Sequence, residues 1–193
     1  MKAVVFIADG SEEIEMITPV DYLRRAGVEV ALCSVGSSDR TVTCSHGVRV
    51  TADFTLEEYT KSFPNEKPDA VVVPGGMPGA TNIASCKRAI SFLQEQNDAG
   101  RLVCAICAAP AVVLGKTEIL KGKKWTCYPE MEKEAPDFAE THCASVPFVH
   151  DKNLITGRGP GAAEEFSMEI VKTLAGSEVA QKIRRGSVQR ETK

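Results

Sequence analysis

Cys107 ends the apolar run Leu102-Val103-Cys104-Ala105-Ile106 and is followed at once by Ala108-Ala109-Pro110. The run has the length of a strand and is apolar on both parities, as a strand covered on both faces must be. The residues from Ala108 to Leu114 predict a helix, with Pro110 accommodated in its first turn, where an N–H would have no intrahelical partner. A thiol at such a junction faces unpaired N–H groups and the positive end of a helix, which favour thiolate and so lower its pKa. Cys107 is therefore the strongest nucleophile candidate. A second feature is Gly75-Gly76-Met77-Pro78-Gly79 after the run Asp69–Pro74. Paired glycines let backbone N–H groups approach a ligand oxygen, and they equally make an ordinary tight turn. No Gly-Lys-Ser/Thr follows them and the Gly-x-Gly-x-x-Gly order is missing, so neither a phosphate loop nor a dinucleotide fingerprint is present. The third feature is Glu12-Glu13-Ile14-Glu15. Glu12 and Glu13 suit the dipole of a helix start. Glu15 lies between Ile14 and Met16, where partial desolvation would raise its pKa and make it a proton carrier, and spacing alone leaves that reading beside the structural one.

These residues need strands that stop beside one another. Lys2–Ile7 is an apolar β run, and residues 12–26 carry Ile14, Ile17, Val20 and Leu23 at helical spacing, with Ser11 placed to cap and Gly27 to end the helix. Further strands are expected over 28–35, 69–74, 102–107 and 125–128, with a hairpin in 41–53 and another around Asp151-Lys152-Asn153. Helices are expected over 56–63, 85–100, 161–175 and 177–185, the last capped by Ser177. The alternation argues for a parallel sheet with helices on both faces, whose sites lie beyond the carboxyl ends of the strands. The ends before Glu12, before Gly75 and at Cys107 are the ones that matter.

The 193 residues, 43% of them apolar, suffice for one domain with its own core, and the formal charge of −3 gives no basic footprint for nucleic acid or a membrane surface. There is no apolar run of membrane length, and the chain passes from Met1 directly into a strand pattern, so a cytoplasmic location is expected. Seven cysteines at irregular spacing suit free thiols in a reducing compartment. Cys104 and Cys107 form a C-x-x-C, but three residues along a strand point to the opposite face, which puts Cys104 in the core. Cys127, Cys143, His142 and His150 lack zinc-ligand spacing, and no metal is expected. His46 and His150 suit the surface.

Taken together, Ala8-Asp9-Gly10-Ser11-Glu12-Glu13-Ile14-Glu15, Pro19-Val20-Asp21, Arg24-Arg25-Ala26-Gly27, Val73-Pro74-Gly75-Gly76, Ala105-Ile106-Cys107-Ala108-Ala109-Pro110 and Arg158-Gly159-Pro160-Gly161 resemble the ThiJ/PfpI superfamily, in particular its DJ-one branch. The resemblance follows the chain in order over nearly its whole length. It implies an α/β fold, a flavodoxin-like three-layer sandwich with a mostly parallel sheet, as a single domain over 1–193, and a homodimer. It also implies a nucleophile elbow at Cys107, Glu15 hydrogen-bonded to the sulfur as general acid/base, and the Gly76 and Ala108 N–H groups as an oxyanion hole. Gly75, Arg25, Arg158 and Tyr128 take substrate-binding positions, with Arg25 and Arg158 at family positions near the site and the dimer interface. Tyr128 stands in Thr126-Cys127-Tyr128-Pro129 where many members carry histidine, Ala108 replaces the histidine of peptidase-like members, and Gly157 replaces a hydroxyl residue common in the branch. A thiolate, a carboxyl and an oxyanion cradle imply glutathione-independent conversion of a small 2-oxoaldehyde to a 2-hydroxy acid, or deglycation by the same steps, without a cofactor. The alternative is a redox sensor or redox-regulated chaperone in which Cys107 is oxidised to a sulfinate.

Overall fold

The computed structural model describes residues 1–190. Strand β1 (Lys2–Ile7) leads into α1 (Glu13–Arg25) and β2 (Glu29–Ser34). A small antiparallel hairpin, β3 (Thr41–Thr43) and β4 (Arg49–Thr51), precedes β5 (Phe54–Thr55) and α2 (Leu56–Ser62). Then come β6 (Ala70–Val73), α3 (Gly79–Ser85), α4 (Lys87–Asp98), β7 (Leu102–Ile106) and α5 (Ala109–Val112). Short 3-10 turns fill 131–141, and β8 (Phe148–Asp151), β9 (Leu154–Gly157), α6 (Ala163–Ala175) and α7 (Ser177–Gly186) complete the chain. The order across the main sheet is β5-β2-β1-β6-β7-β9-β8, parallel throughout except where β8 runs antiparallel to β9.

The composition of the central strands explains the architecture. Every residue of β6 and β7 is buried, as are Ala3 to Ile7 of β1, so helices must cover both faces. Helices α1, α6 and α7 pack together as one layer. On the other face Phe6 of β1 meets Phe92 of α4 at 5.6 Å between centroids, and Phe92 meets Tyr59 of α2 edge-on at 6.3 Å. The chain leaves β1 toward β2 and returns to β6 on the opposite side of β1, which makes the carboxyl ends of β1 and β6 the switch point of the sheet. The site is built there.

Several expected elements differ in detail. The helix expected over 108–114 is only the single turn α5, continued by a 3-10 turn at Leu114–Lys116, because β-branched Val112 and Val113 and then Gly115 do not sustain a helix. Residues 125–128 do not form a strand: Trp125 makes one isolated bridge to His142, and the Thr126 N–H donates to the Thr156 hydroxyl at 2.9 Å instead of to a neighbouring backbone. The helix expected over 85–100 is preceded by α3 and begins only after a break at Cys86. Ser11 does not cap α1; its hydroxyl accepts from the Ala8 N–H at 3.0 Å, and the carboxylate of Glu12 takes the cap. Ser177 lies inside α7, and Gly176 with φ +90° is the residue before it.

Where the strand ends meet, the backbones leave no room for a side chain. A Cβ on Gly76, which has φ +79°, would lie 2.4 Å from the Glu12 nitrogen and 2.5 Å from the Gly10 oxygen. Both obstacles are backbone and cannot swing aside. Gly76→Ala is therefore expected to destabilise the protein by roughly 2–4 kcal/mol, from a strained dihedral together with overpacking. Urea unfolding measures this, and an unchanged midpoint would show that the two loops are not locked together.

Candidate active site

Cys107 has φ +64°, a left-handed conformation rare for a residue with a side chain. Two backbone bonds impose it: the Cys107 N–H donates to the Gly157 carbonyl at 2.9 Å, and the Cys107 carbonyl accepts from the Tyr128 N–H at 2.9 Å. A strand running into a short helical turn through a residue held in this way is a nucleophile elbow. It presents the thiol at the top of the sheet at only 9% exposure.

Glu15 arrives from the first turn of α1 and is fully buried. One carboxyl oxygen, Oε2, accepts from the Gly75 N–H at 2.8 Å. The other, Oε1, has no partner of good hydrogen-bond geometry, and the group that titrates against the carboxyl is the Cys107 thiol. Gly75 is fixed by this crowding, since a Cβ there would lie 2.6 Å from the Cβ of Cys107 and 2.8 Å from Glu15 Oε2. The N–H groups of Gly76 and Ala108 both reach the sulfur and favour its charged form.

Burial raises the Glu15 carboxyl to about 7 against the bonds from Cys107 and Gly75 that favour its ionised form. The thiol is not lowered as the helix-start position led one to expect. Burial and the Glu15 carboxylate push Cys107 up to about 12, against the opposing pull of the Gly76 and Ala108 N–H groups, and a single-turn α5 has little dipole to offer. The two groups share one removable proton near neutrality and titrate as a pair. With that proton on Glu15, the repulsion that disfavours thiolate is gone and a carboxylic O–H can donate to sulfur. The chemistry available is a nucleophile beside an acid/base partner that can take its proton, with two backbone donors next to the sulfur.

Of the other expected residues, Tyr128 and Arg158 are brought together. They line a cavity of about 420 Å³ with Pro129, Ser145, Pro147 and the Gly159–Ala162 turn. Cys107 does not line it, but its backbone bonds Tyr128 in the cavity wall and Gly157, the residue before Arg158. Arg25 is not brought to the site. It pairs with Asp21 at 2.6 Å in the last turn of α1, ten residues and so about 15 Å along the helix from Glu15. Cys104 is core, fully buried within β7, as its strand parity requires.

Glu12 and Glu13 do more than complement a dipole. Glu13 accepts from the His46 N–H at 2.8 Å and faces the His46 ring at 3.0 Å, while the Ser45 hydroxyl donates to both carboxylates at 3.2 Å. Burial works against ionised Glu13, but the bonds from His46 and Ser45 outweigh it and hold the group at about 2. The β3–β4 hairpin is thereby fastened to the turn that begins the Glu15 helix, which turn-like context around His46 alone did not reveal. Gly157 was likewise readable only in three dimensions: a Cβ there would press on Ile106 and Phe166 at 2.8 to 3.0 Å.

A family model described as the DJ-1/PfpI family matches residues 1–173. The chain belongs to the DJ-1/PfpI family. It is 37% identical over 184 residues to protein dj-1beta of Drosophila melanogaster, covering 95% of each chain. It is 34% identical over 170 residues to a Caenorhabditis elegans protein named glutathione-independent glyoxalase DJR-1.2, covering 88% of this chain and 86% of that one. Among solved structures, oxidized Toxoplasma gondii DJ-1 superposes with a TM-score of 0.89 at 34% identity over 98% of this chain and 99% of that chain. The sheet and its helices are those of this family's flavodoxin-like fold. No helix among the described residues is long and apolar enough to cross a membrane.

The raised Glu15 sets a pH dependence of stability. Between its ordinary value of 4.5 and about 7 the folded protein holds a proton that the unfolded chain has released. Stability therefore falls as pH rises through that window, by an amount on the order of 3 kcal/mol when complete. Urea unfolding across that range is expected to show the decline, and Glu15→Gln to flatten it; an equal slope in the variant would place the cause elsewhere.

Proposed function

We propose that this protein is a cysteine-dependent, glutathione-independent glyoxalase acting on methylglyoxal, glyoxal and their adducts with thiols or amines, the last activity being a deglycase. The single observation that carries the reading is the buried Cys107–Glu15 pair with the Gly76 and Ala108 N–H groups directed at the sulfur. The name of the nematode relative supports the same chemistry.

The steps follow from the placement of these groups. The Cys107 thiolate, its proton on Glu15, adds to the aldehyde carbon of a 2-oxoaldehyde, and the new alkoxide takes up the position served by the two N–H groups. Glu15 protonates that oxygen to give the hemithioacetal. Its carboxylate then removes the proton from the former aldehyde carbon while the neighbouring carbonyl oxygen is protonated, giving an enediol. The proton is returned to the neighbouring carbon as the former aldehyde hydroxyl loses its own, which leaves a 2-hydroxy thioester. Water cleaves the thioester to a 2-hydroxy acid and restores the thiol. The sum is one aldehyde and one water consumed for each hydroxy acid formed, with no external oxidant or reductant. Gly75 keeps Glu15 in register, and Tyr128 and Arg158 supply an aromatic wall and a cation to the cavity through which substrate and anionic product pass.

Two further assignments belong to this reading. A second copy of the chain covers Ile14, Ile17 and Val48, which are about half exposed and adjacent, because the Val48 N–H bonds Glu13 next to Ile14. The protein works in the cytoplasm, where the free state of all seven cysteines is maintained.

The decisive assay is formation of lactate from methylglyoxal without glutathione. Cys107→Ser is expected to abolish turnover, and Glu15→Gln to lower kcat/KM by about a hundredfold or more, the range of general acid–base catalysis. In the native protein kcat/KM should rise with pH through about 7 as the pair loses its first proton, and Glu15→Gln should lose that limb. No turnover in the fully reduced native protein would overturn the glyoxalase reading in favour of a redox sensor or chaperone, in which oxidation of Cys107 to sulfinate is the event. Light scattering on the purified chain tests the dimer, and Ile17→Asp is expected to shift it to monomer; a native monomer would remove that assignment.

A further inference from the structure

Behind Tyr128 the chain gathers a second set of polar side chains that the proposed reaction does not use. The Sγ of Cys127, Nε2 of His142 and a carboxylate oxygen of Glu132 all lie within 4.8 Å of one another. Cys127 is 2% exposed. Glu132 Oε2 is shut off from solvent and has no hydrogen-bond partner. A carboxylate oxygen buried without a partner is costly unless a proton or a cation satisfies it.

His142 is held in place rather than free to swing. Its backbone pairs with Trp125 in the isolated bridge, and its ring lies against the Trp125 indole at 4.8 Å between centroids. The indole is itself fixed, fully buried and donating to the Phe138 carbonyl at 2.9 Å. Sγ of Cys127 and Nε2 of His142 are 3.6 Å apart. Zinc bonds of about 2.3 Å to sulfur and about 2.0–2.1 Å to imidazole nitrogen, set at a tetrahedral angle, put those two atoms about 3.5–3.6 Å apart. Thiolate, imidazole and carboxylate are together the donor set of a borderline-soft divalent ion.

We propose that Cys127, Glu132 and His142 form a binding site for a zinc-class divalent cation, with the fourth position left to water. On binding, the cation forms a bond to the Cys127 sulfur, the S–H bond breaks, and the proton passes to solvent, so metal uptake releases one proton and strengthens with rising pH. The ion would tie residues 131–142 to the Trp125–Tyr128 segment, one residue from the N–H that holds the Cys107 carbonyl. His142 lies fifteen positions after Cys127 with no short ligand spacing, and it is the Trp125–His142 bridge that brings them together.

The test uses the full chain carrying Cys107→Ser, so that the nucleophile takes no part in metal binding, titrated with cobalt(II) and then zinc. One equivalent of cobalt is expected to bind, with a thiolate charge-transfer band and tetrahedral ligand-field absorption, both displaced by zinc. Adding Cys127→Ser should abolish the charge-transfer band, His142→Gln and Glu132→Gln should each weaken binding at least tenfold, and Cys143→Ser should leave it unchanged. X-ray absorption on the zinc-loaded Cys107→Ser protein should show one sulfur among nitrogen and oxygen scatterers, a measurement that holds even if a further variant fails to fold. Failure to take up cobalt, a band that survives Cys127→Ser, or zinc without a sulfur ligand would overturn the site and leave a hydrogen-bonded thiol–imidazole pair.

Discussion

The structure depends on a backbone held in a conformation it would not choose. Cys107 sits at φ +64° because the Gly157 carbonyl and the Tyr128 N–H grip it on either side. A single residue in the left-handed region costs on the order of 1–3 kcal/mol, and it persists only where its surroundings fix it more than once. Here they do, since β7 ends between β6 and β9 and the Tyr128 N–H holds the Cys107 carbonyl from outside the sheet. The strain aims the sulfur at the crevice instead of into the sheet. It also leaves the Ala108 N–H free to face the sulfur, because that group stands at the N-terminal end of α5, where no preceding carbonyl of the helix can accept from it.

The second constraint is crowding. Gly75, Gly76 and Gly79 lie so close to the β1–α1 turn and to Cys107 that a methyl group at any of them would fall within 2.4 to 2.6 Å of a neighbour. This closeness brings the Gly75 N–H to Glu15 and excludes water from the carboxyl, raising its pKa toward neutrality. A carboxyl that keeps its proton near neutral pH and a thiol that does not lose its own easily are each poor catalysts alone. Set side by side they can pass one proton between them without either group leaving its place.

Much of the fold was legible in the sequence because burial on both faces leaves a simple mark. Lys2–Ile7, Asp69–Pro74 and Leu102–Cys107 are apolar on both parities, and only a central parallel strand requires that. Cys107 is marked in the sequence by its place at the end of such a strand, whereas spacing alone left Glu15 beside a structural reading and only the family resemblance singled it out. What escaped was set by contacts distant in sequence. Residues 125–128 look like a strand but have their hydrogen bonds taken by a threonine side chain and one bridge. The thiol's pKa was misjudged because position at a helix start is a local property, whereas burial against Glu15 is not. Arg25 falls where the family places it in sequence, yet the helix carries it about 15 Å along its axis from Glu15, and it pairs with Asp21.

The same distinction explains why the segment from 125 to 142 is the most informative part of the chain beyond the elbow. It adds almost no regular structure, yet it contributes the N–H that fixes Cys107, the aromatic wall of the cavity and a buried tryptophan on which a histidine rests. Its backbone bonds are those of short turns and one bridge, so side chains fix how the segment sits on the sheet. Here the holding is done by Trp125 in the core, Thr156 beneath it and the Cys127–His142 contact above. Because Tyr128 lies within that segment, whatever stiffens or loosens the contact acts on the backbone that keeps Cys107 in its strained conformation. The wall of the site and the geometry of its nucleophile are in this way one mechanical unit.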